Sequence, residues 1–347
     1  MKSQKSKIAS LVLRIGVAVG ACFLIFKDLD FGQLYKNLLS LHWGVLLFAV
    51  GMQYLSQILM AFRWWVMLRT LGIYIPFFTT LHLHFHGLFF NNFLPGSIGG
   101  DFIRAWYVTK HHESKRLQSA MSVFVDRFTG LGSTLIIAIT CYFCFMRGAK
   151  LLTRENREGF FTKLYTYEME LLYVLAGLIA VAVLVFVIPK TRKMIFSGVR
   201  KLCDLAKHGF GQFLELVSVY VRKPWIGPFA FGLTILFQCL IFTSYWLIGR
   251  DLGVSDEIRY YFVFFPFVWV MGSIPVSVAG IGILEGGLIL LFVTFAGADK
   301  EAATALALCQ RALMLMGSLP GIWIHLRATH LPKEEPEFSV DEKSSIQ

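Results

Sequence analysis

The sequence predicts an all-α polytopic membrane protein, with about eight long transmembrane helices plus two broken re-entrant helical hairpins in an inverted repeat. Three observations predict it. Of 347 residues, 56% are hydrophobic and only 16% charged, with a mean hydropathy of +0.62; a soluble domain carries about a quarter charged residues. Several apolar runs reach the length needed to cross about 30 Å of hydrocarbon. Finally, Pro95-Gly96-Ser97-Ile98-Gly99-Gly100 has an echo in Pro275-Val276-Ser277-Val278-Ala279-Gly280, and each copy is followed by an acidic residue in apolar surroundings, Asp101 and Glu285.

The first expected span, 8–26, follows Lys2, Lys5 and Lys7. It contains Arg14 and leads to Lys27-Asp28-Leu29-Asp30 rather than a small-residue cleavage site, so it reads as uncleaved. The second span covers about 43–68, with Arg63 and Arg69 near its far end fitting a cytoplasmic exit. Residues 77–93 are apolar but at the lower limit of spanning length, and 101–108 is shorter still. Between them lies the Asn91-Asn92…Pro95-Gly96…Gly99-Gly100 break. Proline removes a backbone donor and glycine reaches conformations other residues avoid. Backbone groups freed inside a membrane must face protein or a wet cavity. A helix–break–helix hairpin entering from the cytoplasm is the economical assignment.

The next long span, about 120–146, carries Asp126-Arg127 in its first turns, and another covers 171–188. The stretch 190–223 holds eight Lys/Arg against Asp204 and Glu215 and reads as a basic cytoplasmic connector with an amphipathic surface helix. A span at about 225–248, short apolar pieces at 260–274 and 283–295, and a last span at about 302–326 repeat the earlier order. Trp43 to Pro95 is 52 residues and Trp225 to Pro275 is 50. The odd crossing at 171–188 would invert the second unit. The organisation is therefore one membrane domain, 1–328, with repeat halves at about 43–146 and 225–326, and a disordered cytoplasmic tail, 329–347. Inverted repeats place substrate sites at the repeat interface near midplane, built from broken helices.

The net charge of +11 does not require nucleic acid, because positive-inside bias and anionic headgroups account for it. The predicted location is the cytoplasmic membrane, with both termini inside. Of six cysteines, Cys22, Cys141, Cys144, Cys239 and Cys309 lie in apolar spans and Cys203 in the connector, which speaks against a disulfide framework. His82, His84 and His86 suggest a metal cluster, but on a helix His82 and His86 share a face while His84 points away. No metal or cofactor is expected.

Charge inside a bilayer costs about 2.5–3.5 kcal/mol on insertion scales, so each case needs a reason. Asp101 and Arg104 stand three apart at a helix start, where they can pair and Asp101 can cap free N–H groups. Arg104 can hold a lipid phosphate by two hydrogen bonds. Asp126-Arg127 reads either as a self-contained pair with Arg127 snorkelling or as a site. Glu285 needs a partner from elsewhere, with Arg104, Arg127 and Arg311 the candidates. Asn91 and Asn92 either line a polar headgroup site or satisfy freed backbone groups. Ser97, Ser277 and the glycine amides form a candidate anion nest. The expected binding residues are Asn91, Asn92, Ser97, Gly99, Gly100, Arg104 and Arg127. The expected coupling or gating residues are Asp101, Asp126, Glu285 and Arg311.

The order Asn92-Phe93-Leu94-Pro95-Gly96-x-x-Gly99-Gly100-Asp101-x-x-Arg104, then Asp126-Arg127-x-x-Gly130, then Pro275…Gly280-x-Gly282-x-x-Glu285 resembles the flippase-like membrane domain of lysylphosphatidylglycerol synthases, over about residues 8–328. The resemblance implies a protein that translocates or binds an anionic or glycosylated (phospho- or polyprenyl-) lipid headgroup, with such a lipid as partner. The soluble aminoacyl transferase domain of full-length synthases has no counterpart in this sequence, so no transferase activity is carried over. The second motif, Ser277-Val278-Ala279-Gly280, has less glycine and proline than many members. Two alternatives stand beside the transporter. One is a membrane enzyme transferring a group to or from a polyprenyl-phosphate lipid; the other is a non-transporting partner subunit of a lipid or glycan biosynthetic enzyme.

Overall fold

The computed structural model describes residues 29–93, 99–111, 116–146, 223, 225–273 and 280–327. The expected spans at 8–26 and 171–188, the connector at 190–222, the tail, and the turn residues Pro95, Gly96, Ser97, Pro275 and Ser277 lie outside them. Among the described residues the fold is all-helical. The helices are α1 (Phe31–Ser40), α2 (Trp43–Thr70), α3 (Phe77–Phe93), α4 (Gly99–His111), α5 (Arg116–Cys141, followed by a π-helical turn Tyr142–Met146), α6 (Ile226–Asp251), α7 (Ile258–Gly272), α8 (Ile283–Phe295) and α9 (Lys300–Arg327).

Local chemistry sets the ends. Asp30 caps α1 by accepting from the backbone N–H groups of Gly32 and Gln33 at 2.8 and 3.1 Å. α2 stops at Gly72, which adopts φ +70°, while Ile73 N–H donates back to the Leu68 carbonyl at 3.0 Å. α6 stops in the same way at Gly253, also φ +70°, with Val254 N–H donating to the Gly249 carbonyl at 2.7 Å. Side-chain-bearing residues pay for that left-handed conformation and glycine does not.

Among the described residues, four helices are long and apolar enough to cross a membrane: Trp43–Thr70, Gln118–Phe145, Ile226–Asp251 and Lys300–Ile324. The chain is a membrane protein. Of the about eight long spans the sequence suggests, those at 8–26 and 171–188 lie outside the described residues; α7 and α8, expected as short pieces, have 15 and 13 residues, which at 1.5 Å per residue reach only about 20 Å. Exposed Phe102, Trp106, Phe128, Leu135, Phe267 and Leu319 form the apolar exterior such a setting requires.

α2 and α6 lie antiparallel at the centre. His42, before α2, bonds Asp251 at the end of α6 through both backbone and ring, at 2.7 and 2.6 Å, and Lys223, before α6, reaches the Thr70 carbonyl at 3.3 Å. Around this pair, α3 packs on α9 and α7 on α5, while α3–α4 and α7–α8 each form a hairpin. In the first hairpin Gly87 and Gly100 meet backbone to backbone: a Cβ on Gly100 would lie 1.7 Å from the Gly87 carbonyl oxygen. Only glycine at that crossing lets α4 approach so closely.

Candidate functional site

Among the described residues, two ionic groups stand inside the bundle. The first starts from Arg63, seven residues from the end of α2 and so about 10 Å inside it. Its guanidinium is almost wholly buried and fully engaged. Nε and Nη2 donate to Asp126 Oδ1 at 3.1 and 2.9 Å, Nη2 also to the Asp126 carbonyl at 3.2 Å, and Nη1 to Thr234 Oγ1 on α6 at 2.6 Å. Gly130, one turn beyond Asp126, faces this fork; a Cβ there would make an ordinary contact, 3.6 Å from Arg63 Nη2.

Arg104 on α4 enters the same space. Its stem crosses Gly87, where an added Cβ would come within 2.7 Å of Arg104 Cδ. Its guanidinium lies 3.9 Å from the Trp64 ring centroid, a favourable cation–π position. Its carboxylate contacts are longer than those of Arg63: 3.4 Å to Asp126 Oδ2 and 3.6 Å to Asp101 Oδ1. Its Nε makes no hydrogen bond among the described residues. Arg127 Nε pairs with the other oxygen of Asp101, and Asn91 Nδ2 donates to Asp101 Oδ1 at 3.4 Å.

The second group is simpler. Arg311 of α9 holds Glu285 Oε1 through Nε and Nη2, both at 2.5 Å. Glu285 Oε2 accepts from the Gly282 N–H at 2.7 Å, so this carboxylate also caps the start of its own helix. Of the three candidate partners for Glu285, the structure selects Arg311. Arg311 follows Glu285 by 26 residues, and Arg127 follows Asp101 by the same number.

The break residues connect these groups. Asn91 Oδ1 accepts from the Gly100 N–H at 2.9 Å, so that amide, expected to face an anion, caps the hairpin instead. Gly99 opens α4 beside it. Asn92 Nδ2 donates to the Met314 carbonyl on α9 at 3.5 Å, one turn from Arg311.

Two sequence readings are corrected. Asp126 and Arg127 are not a self-contained pair, because adjacent helical side chains diverge; Asp126 turns inward to Arg63 and Arg104 while Arg127 turns to Asp101. Arg63 is not an interfacial marker but the most buried arginine described. His84 and His86 are both buried although they lie on different faces of α3, while His82 is exposed, because α3 is covered by α2, α4 and α9 together.

The match to known proteins covers both ionic groups: the family model for the lysylphosphatidylglycerol synthase TM region matches residues 11–321. The chain belongs to this family. No curated protein matches it. In this lysylphosphatidylglycerol synthase TM region, motif reasoning found Asp101, Arg104, Asp126 and Glu285, but missed Arg63, Trp64 and Thr234. The signal for Arg63 was its spacing: with Gln53, Ser56 and Gln57 it continues a polar stripe along an otherwise apolar span, and all four are buried.

Proposed function

We propose that the bundle binds the anionic headgroup of a membrane lipid and carries it between the leaflets of the cytoplasmic membrane, while the acyl chains stay in lipid. Arg104 carries this reading. Its two carboxylates are each held by another arginine, Asp126 by Arg63 and Asp101 by Arg127, and its own contacts to them are long. A phosphodiester offers a guanidinium two parallel charge-assisted hydrogen bonds, which neither carboxylate provides here. The family's name, lysylphosphatidylglycerol synthase, supports a lipid that carries a phosphodiester.

Asn91, Asn92, Ser97, Gly99, Gly100 and Arg127 would meet the polar part of the headgroup. Asp101, Asp126, Glu285 and Arg311 would gate its passage. The proposal uses an inverted repeat of 43–146 and 225–326, which has three supports. Packing is paired: α3 lies on α9 as α7 lies on α5, α2 meets α9 as α6 meets α5, and α4 meets α5 as α8 meets α9. Arg69-Thr70-Leu71-Gly72 and Arg250-Asp251-Leu252-Gly253 end equivalent spans with the same glycine turn. The carboxylate–arginine ties share their spacing. With both termini cytoplasmic, one hairpin would then face each side.

The test is translocation of fluorescent phosphatidylglycerol by the purified chain in liposomes. Arg104→Ala is expected to lower the rate at least tenfold and Glu285→Gln to lower it less. Unchanged rates in both variants would remove these residues from the route.

A further inference from the structure

The carboxylate of Asp101 stands between two arginines that see different surroundings. Its Oδ1 lies 3.6 Å from Arg104 Nη1, inside the bundle, and its Oδ2 pairs with Arg127 Nε. The Arg104 side chain is 7% exposed and that of Arg127 is 41% exposed. The tie in the second half has no such outlet: Arg311 and Glu285 are both largely buried, and the Gly282 amide closes the remaining carboxylate oxygen. Of the two ties, only the first reaches the outer surface.

That surface is apolar around the cation. Arg127 follows Gln118, the start of its span, by nine residues, about 14 Å along the helix axis. On α5, Phe124, Phe128 and Leu131 are exposed around it; on α4, Phe102 and Trp106 are exposed one turn apart. Lys110, a further turn along α4, lies over the Trp106 ring at 5.4 Å. α4 and α5 pack against each other, so their seam is edged by aromatic side chains, with one cation near the end of α4 and another within the span. An arginine at this depth thins the bilayer locally and draws headgroups and water toward itself. Snorkelling alone explains one such cation. It does not explain a cation tied through one carboxylate to a buried arginine whose own carboxylate contacts are long.

We infer that the seam between α4 and α5 is a lateral entrance for a membrane phospholipid: Arg127 is the outer docking site for its phosphodiester, and Asp101 is the carboxylate it changes places with on the way to Arg104. The inference deepens the reading of Arg104 as the headgroup cation and rests on it. A phosphodiester at Arg127 makes two parallel charge-assisted bonds to the guanidinium and so competes with Asp101, which has a second arginine to turn to. Loosened from Arg127, the carboxylate closes on Arg104. When the phosphodiester moves inward to Arg104, the carboxylate returns to Arg127. Each anion keeps a cation throughout, so no unpaired charge is left in the apolar interior, where it is most costly. The acyl chains stay outside, along Phe102, Trp106, Phe124 and Phe128. That aromatic edging commits the occupant to a lipid rather than a free anion.

The test uses the full chain in liposomes with photoactivatable phosphatidylglycerol, and with diacylglycerol bearing the same photoactivatable chain as the probe that lacks phosphate. Labelled residues are mapped by mass spectrometry, and translocation of fluorescent phosphatidylglycerol is recorded in the same preparation. Phosphatidylglycerol is expected to label Phe102, Trp106, Phe124 and Phe128 about tenfold more than diacylglycerol does, while exposed Leu236 and Leu319 are labelled alike by both. Arg127→Gln should remove that enrichment. Arg127→Lys, which keeps the charge, should retain part of it and show that the loss follows the charge. Should either variant fail to fold, the wild-type comparison of the two lipids decides by itself. Inorganic phosphate should leave the label in place; displacement would assign Arg127 to a water-borne anion and overturn lipid docking. Equal labelling of the seam by both lipids, or enrichment persisting in Arg127→Gln, overturns the entrance. The headgroup site then still stands if translocation depends on Arg104. Seam enrichment without any translocation keeps the docking site and overturns the onward route.

Discussion

The two halves of the bundle share one ionic tie and differ in everything placed around it. In each, a carboxylate in the first turn of a hairpin's second helix meets an arginine on the following span: Asp101 with Arg127, Glu285 with Arg311. The second half stops there, its carboxylate satisfied by Arg311 and the Gly282 amide. The first half adds Arg63, Arg104 and Asp126. At the places that the proposed repeat makes equivalent, counted from the shared glycine turn and the shared tie, stand Ser244, Leu288 and Gln310. A tie present twice is explained by architecture, since it fastens a hairpin to its neighbouring helix. Charges present once, and costly in a membrane, call for a reason of their own. That contrast directs attention to Arg104 rather than to the tie that first stands out in the sequence.

The comparison can be broken most forcefully at Arg63. Arg63→Ala leaves Asp126 buried without its closest partner, and removing one member of such a pair costs about 3–5 kcal/mol. Ser244→Ala in the other half removes a hydroxyl that bonds the Ile241 carbonyl of its own helix and should cost about 1 kcal/mol or less. Thermal melting of the two purified variants checks this; equal losses would deny the first half its special status. A smaller effect sharpens the tie itself. Glu285→Gln weakens a pair whose side chains are only 12% and 16% exposed and should cost about 2 kcal/mol. Asp101→Asn should cost less, because Arg127 is 41% exposed and solvent screens the pair. The same melting measurement ranks them, and the reverse order would contradict the burial. Smallest is the glycine turn: Gly72→Ala and Gly253→Ala each force a side chain into φ +70° and should cost about 1 kcal/mol apiece. A large difference between these two would mean that the equivalent turns are not equivalent in the fold.

Much of the architecture was readable before any coordinates. Helix lengths, the weak hairpin segments and the break residues follow from apolar run length and from proline and glycine, and these are local properties of the chain. The Arg69–Gly72 and Arg250–Gly253 echo was equally local and stronger than the proline echo, yet it is easily passed over because a helix stop seldom invites functional attention. The site was half legible. Asp101, Arg104, Asp126 and Glu285 stand out because a lone charge in an apolar run is conspicuous. Arg63 did not, because near the end of a span an arginine has the ordinary explanation of snorkelling to the interface.

The sequence by itself determined that the chain crosses a membrane, that it belongs with broken-helix bundles, and that charges are buried within it, since hydropathy, turn chemistry and run length act on neighbouring residues. Only the tertiary structure decided who holds whom. Arg63 and Asp126 are 63 residues apart, Arg63 and Thr234 are 171 apart, and adjacent Asp126 and Arg127 turn to different partners. A helix sends successive side chains about 100° apart, so the partner of each charge depends on which neighbouring helix covers that face.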